Sequence, residues 1–87
     1  MPVLEEQFAQ AHKEVSELAG RPDNDSLLKL YAYYKQATLG NASGERPGGF
    51  DFVRRAKFDA WNGVRGTSQE EAMQRYVELV HKLRGEC

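Results

Sequence analysis

The chain has 87 residues, 12 Lys and Arg against 13 Asp and Glu, a formal net charge of −1 and one cysteine. That length fits one domain, residues 1–87, with a thin core. The charge balance argues against generic nucleic-acid binding, which requires many phosphates to be neutralised, and the single Cys87 cannot build a disulfide framework. No stretch approaches the ~20 apolar residues that span a bilayer, and Met1–Glu6 lacks the basic-then-apolar order of a signal peptide. The expectation is a monomeric cytoplasmic helical protein without stable membrane insertion.

In chain order, the first apolar stripe is Leu4, Phe8, Ala11, Val15 and Leu18, spaced four and three apart as one face of a helix requires. Gly20 and Pro22 stop it. Asp23, Asn24, Asp25 and Ser26 offer N-caps for a second helix running to about Leu39. Residues 40–50, GNASGERPGGF, hold four glycines and a proline and read as a long irregular connection. A third helix is expected over about Phe52–Val64, with Val53, Ala56, Ala60 and Val64 as its stripe, and Gly66 closes it. Thr67 and Ser68 with Glu70 and Glu71 give a capping-box signature in either register. The fourth helix carries Met73, Tyr76, Val77, Val80 and Leu83 on one face. No segment alternates as a strand does. Four helices with one long middle connection make an all-α bundle.

Several residues break the pattern of apolar inside and charged outside. Tyr31 and Lys35 lie one turn apart on the shoulder of the second helix's stripe, which itself carries Tyr34. Lys57 falls about 40° from Val53 and about 20° from Val64 on the wheel of the third helix, with Trp61 one turn on. Tyr76 sits within the fourth stripe and could present its hydroxyl at a rim. A lysine at such a margin commonly covers apolar surface with its stem and keeps its ammonium in water, and tyrosines at helical spacing are commonly core residues. If the lysines and tyrosines instead converge on one mouth, they offer cations for phosphate and phenols for stacking above an apolar lining. That combination suits an amphiphile with a phosphorylated head.

LYAYYKQATLG from Leu30 to Gly40, Arg46-Pro47-Gly48, and KFDAWNGVRGTSQEEAM from Lys57 to Met73 resemble, in order, segments of the acyl-CoA-binding protein family. The resemblance covers nearly the whole chain, Phe8 to Leu83. It implies an antiparallel four-helix bundle in up-down-down-up order that holds one long-chain fatty acyl-CoA. It further implies that Tyr31, Tyr34 and Lys35 meet the adenine and its 3′-phosphate, that Lys57 is the second phosphate cation, and that Tyr76 completes the nucleotide site. Ser16 stands where many members carry a ligand-contacting lysine and is a weaker binding candidate. His12 stands on the helix-one stripe where a small residue is usual, and Phe58 replaces a frequent tryptophan.

No catalytic set is legible. His12 and His81 have no spacing that recruits a carboxylate or cysteine as co-ligand, and the glycine-rich connection lacks the lysine and helix of a phosphate loop. No enzyme activity, metal or cofactor is expected beyond the acyl-CoA ligand. The implied function is an acyl-CoA carrier and pool former that serves acyl-CoA-using enzymes. Two alternatives stand beside it. One is a helical protein-interaction module that no longer binds acyl-CoA, with exposed Tyr33 and Phe58 as its contacts. The other is a binding domain detached from a larger enzyme such as an enoyl-CoA isomerase, for which a chain ending at Cys87 leaves no room.

Overall fold

The computed structural model describes residues 3–85, and the expectations for Cys87 lie outside them. Helix α1 spans Leu4–Val15, α2 Asn24–Leu39, α3 Phe52–Gly63 and α4 Gln69–Leu83; no strand occurs among the described residues. Three helices start on a side-chain cap. Asp23 accepts from the Ser26 amide at 2.8 Å, Asp51 from the Arg54 amide at 3.2 Å, and Ser68 from the Glu71 amide at 3.0 Å. Each cap satisfies a backbone donor that the first helical turn leaves unpaired. Glu5 and Glu6 in the first turn of α1, and His12 and Lys13 in its last, complement the helix dipole.

Helix α1 stops short of Leu18. The Ser16 hydroxyl donates to the Lys13 carbonyl at 2.8 Å, and the chain tightens into i to i−3 bonds, Glu17 amide to Glu14 carbonyl at 2.9 Å among them. A tightened last turn of this kind is a common helix ending. Gly40 at φ 85° and Gly66 at φ 91° then take the left-handed conformations that turn the chain after α2 and α3.

Cross-helix contacts fix the order as up-down-down-up. Leu4 and Gln7 line a cleft with Gln74 and Val77, whereas Glu14 pairs with Arg84 at 2.8 Å, so α1 and α4 run parallel. Gln69 reaches the Thr38 carbonyl at 3.4 Å and Tyr34 meets Tyr76, so α2 and α4 are antiparallel. Leu27 and Leu28 face Val53, and Lys35 faces Trp61, so α2 and α3 run parallel. Parallel neighbours cannot be joined by a tight turn, and this explains the long connection between α2 and α3.

The core comes from three helices. Phe8 and Ala11 of α1, Leu30 and Ala37 of α2, and Ala72, Tyr76, Val77 and Val80 of α4 are buried together. Helix α3 buries no residue and packs on α2 alone among the helices. Its expected stripe is therefore not core: Val53 is 66 % exposed beside Phe52 at 67 %. Polar bonds anchor α3 and the connection instead. The Trp61 indole donates to the Gly40 carbonyl at 2.8 Å, Arg65 donates to the Ala42 carbonyl at 2.8 Å, and Arg46 grips Asp59 through two bonds of 2.7 and 2.8 Å. Buried Gln36 donates to Asn41 Oδ1 and to the Thr67 carbonyl, both at 2.8 Å, and Asn41 also accepts from the Gly66 amide. One amide side chain thus ties the end of α2 to the α3–α4 turn. No described helix is long and apolar enough to cross a membrane.

Candidate functional site

The parallel packing of α2 on α3 brings Tyr31, Lys35, Lys57 and Trp61 together. Lys35 Nζ lies 5.6 Å from the Tyr31 ring centroid and 5.9 Å from that of Trp61. Lys57 Nζ approaches the same Tyr31 ring to 5.5 Å. One phenol therefore holds two ammonium groups, and each such contact is worth about 0.5–1 kcal/mol when exposed. Arg46, Arg54, Arg75 and Arg84 form side-chain ion pairs. Neither lysine takes part. Two gathered cations that form no ion pair among the described residues are suited to an anion, and a compact ammonium serves a phosphate as a point charge.

Apolar space adjoins this pair. A pocket of ≈ 370 Å³ lies between the start of α2 and the start of α3, lined by Leu27, Leu28, Phe52, Val53, Ala56 and Lys57. A second cleft, of ≈ 210 Å³, is lined by Tyr31, Ser43, Glu45, Pro47, Arg54, Lys57, Phe58 and Trp61. Lys57 belongs to both. Its side chain joins an apolar hollow to a cationic, aromatic one, as an amphiphile with an anionic head would need. The larger clefts on the α1–α4 face suit such a ligand less well. One of ≈ 510 Å³ carries Glu6 and Glu14, and one of ≈ 400 Å³ carries Glu14 and Glu17. Neither has a lysine in its lining to offset those carboxylates, whereas the Tyr31 cleft sets Lys57 and Arg54 against the single Glu45.

The remaining candidates stand elsewhere. Tyr34 faces α1 and α4: its ring stacks on His12 at 4.6 Å between centroids and on Phe8 at 5.7 Å, and lies 6.1 Å from Tyr76. Tyr76 is only 2 % exposed, and its hydroxyl is 3.2 Å from His12 Nδ1. Burial first, and the neighbouring Tyr34 second, push the Tyr76 phenol up to about 12, so it remains protonated. Rather than standing open at a rim, Tyr76 is a core ring whose hydroxyl is engaged by His12. Ser16 is exposed and its hydroxyl is spent on its own helix. His12, expected on the buried stripe, is exposed, while Tyr33 and Phe58, expected exposed, are half-buried. The α3 surface turns Phe58 against Trp61, edge to face at 6.4 Å.

Sequence reasoning passed over two parts of the site. Trp61 was visible only as one turn beyond Lys57, and its indole is placed by the bond to the Gly40 carbonyl. Leu27, Val53 and Ala56 look like core positions on a wheel, and nothing local distinguishes a face that meets protein from one that lines a hollow. Among the described residues, no group of three or more His, Cys, Asp or Glu gathers as metal ligands.

Residues 5–80 match the family model described as Acyl CoA binding protein. The chain is 46 % identical over 76 residues to the acyl-CoA-binding protein of Saccharomyces cerevisiae, covering 87 % of each. It superposes on the crystal structure of Oryza sativa acyl-CoA-binding protein 2 with a TM-score of 0.89 and 41 % identity, over 93 % of this chain and 90 % of that one. It is also 45 % identical over 83 residues to enoyl-CoA delta isomerase 2 of Rattus norvegicus, but spans only 21 % of that protein. The resemblance to the isomerase therefore concerns a segment of it. The match to the family model, the identity to whole-length relatives and the superposition together place this chain in the acyl-CoA-binding protein family.

Proposed function

We propose that the chain, as a single domain, binds one long-chain fatty acyl-CoA and acts as a monomeric cytoplasmic carrier that supplies acyl-CoA-using enzymes. The observation that carries this reading is Lys57, which lines the apolar pocket and the cationic cleft at once. The acyl tail would occupy the hollow between Leu28 and Val53, where each buried methylene contributes roughly 0.8 kcal/mol before ordering costs. The CoA phosphates would lie between Lys35 and Lys57, where Lys57 and Arg54 outnumber the one carboxylate of the cleft, Glu45. Charge-assisted hydrogen bonds there contribute about 1.5–3 kcal/mol each. Tyr31 and Trp61 offer flat faces for the adenine, a contact worth about 1–3 kcal/mol in nucleic-acid complexes. The site binds and shields, and no reaction step is assigned to it.

Calorimetric titration with palmitoyl-CoA, free CoA and free palmitate tests the reading. Tight one-to-one binding of the ester with weak binding of either half is expected. An ester that binds no better than palmitate would leave the lysines as solvent-seeking side chains and favour a protein-interaction role.

A further inference from the structure

The ring cluster on the other flank of α2 is not explained by tail burial or by the lysine pair. His12 stands exposed near the end of α1. Its imidazole lies nearly parallel to the Tyr34 ring, with an interplanar angle of 20° at 4.6 Å, and its Nδ1 is 3.2 Å from the Tyr76 hydroxyl. Tyr34 in turn adjoins Lys35 in the chain and lies one turn from Tyr31. Residues three apart neighbour each other on a helix surface, so the His12–Tyr34 stack lies on the α1 side of the α2 edge that carries Tyr31, outside the lining of the cleft itself.

We propose that His12 is a positioning residue for Tyr34 and a proton-dependent donor to the phosphorylated head of the acyl-CoA. This inference rests on the carrier reading above. The stack leaves the Tyr34 ring less freedom to rotate, so less ordering remains to be done when a ligand arrives. The hydrogen bond is compatible with either tautomer. In the one in which the phenol donates to Nδ1, the imidazole proton sits on Nε2, for which the described residues provide no partner. Protonation would then place N–H groups on both nitrogens and reverse the bond to Tyr76, without requiring the ring to move. A neutral donor becomes a cationic one.

The groups facing His12 allow that change. From α2 the titratable neighbour is Tyr34, and from α4 it is Tyr76. On α1 itself Lys13 follows in sequence, and Ser16, one turn on, is bonded to the Lys13 carbonyl. Helix α3 packs on α2 and not on α1. The ring contacts and the hydrogen bond of the His12 side chain, to Tyr34 and Tyr76, involve no carboxylate, so an added positive charge has no internal counter-ion among them. A protonated imidazole would also gain from the face of Tyr34 beneath it.

The test compares wild type, His12→Phe, His12→Ala and Lys57→Met by titration with palmitoyl-CoA at pH 6 and pH 8. His12→Phe keeps a ring on Tyr34 but cannot be protonated, and taking its ratio to wild type at each pH cancels the titration of the ligand's own phosphates. We expect wild type to bind about two- to five-fold tighter than His12→Phe at pH 6, the range spanned by one exposed charge pair, and within two-fold at pH 8. His12→Ala should be weaker than His12→Phe at both. By linkage, saturating palmitoyl-CoA should raise the midpoint of the His12 imidazole followed by NMR, with His81 as reference. A wild-type to His12→Phe ratio that is the same at both pH values, in a protein that binds the ester and loses affinity in Lys57→Met, overturns the role of His12 alone. If wild type does not bind the ester, the carrier reading falls and this inference falls with it.

Discussion

Replacing Lys57 by methionine separates the two halves of the proposed site. Methionine keeps an unbranched stem against Ala56 and Val53 but removes the ammonium now 5.5 Å from the Tyr31 centroid. A hydrogen bond to a charged group contributes about 1.5–3 kcal/mol, so Kd for palmitoyl-CoA should rise by roughly 10- to 150-fold. Lys35 remains, and for that reason some head-group affinity should survive. Because α3 buries no residue, the fold should be indifferent, with stability within about 0.5 kcal/mol of wild type. The tail should also be indifferent. Between dodecanoyl-CoA and palmitoyl-CoA lie four methylenes, which amount to at most ~3 kcal/mol, and that increment should be the same in wild type and variant if head and tail bind independently. Calorimetry on both proteins with both ligands gives all four numbers, and thermal denaturation gives the fifth. Binding of palmitoyl-CoA within two-fold of wild type would refute the assignment of Lys57 to a phosphate. A chain-length increment that vanished with the charge would instead show that Lys57 shapes the apolar pocket.

Three further outcomes follow from the geometry. Tyr76→Phe should cost about 0.5–1.5 kcal/mol at neutral pH through loss of the bond to His12. Because the folded protein keeps the phenol protonated to about 12 against an ordinary 10.0, Tyr76 contributes stability below pH 10 that is lost as pH rises toward 12. Denaturation curves of wild type and Tyr76→Phe should therefore converge or cross in that window, and a constant difference would contradict it. Asp59→Asn should lower Tm at pH 7, since the Arg46 guanidinium holds the Asp59 carboxyl below its ordinary 3.8. A lowered folded-state value means the contribution is present above that pH and lost as pH falls through the folded value, so the difference in Tm should shrink to nothing in strong acid. Gln36→Leu removes the donor that binds Asn41 and Thr67. It should destabilise by about 1–3 kcal/mol and speed amide exchange in residues 40–50 more than in α1, whereas uniform acceleration would contradict a local clamp.

Much of this protein follows from local rules. The 3.6-residue period marked out four helices, and Asp23 and Ser68 began α2 and α4 because a side-chain oxygen there satisfies an orphan amide. Tyr31 and Lys35 share an edge because they are one turn apart on the same helix, and that held in the fold. The family was also legible, since its segments occur in order. The structure decided which faces have partners. Val53 and Ala56 share a stripe on any wheel, yet they line a hollow because α3 rests on α2 alone. Tyr76 shares its stripe with Val77 and Val80 and is buried beneath Phe8 and Tyr34 because α1 and α2 both close over α4 there. Trp61 meets Lys35, and Lys57 meets Tyr31, only because α2 and α3 run parallel in this register. Periodicity sets which side chains point together. Whether that direction holds a neighbouring helix, water or a ligand depends on elements far away in the chain, and so on the packing of the whole.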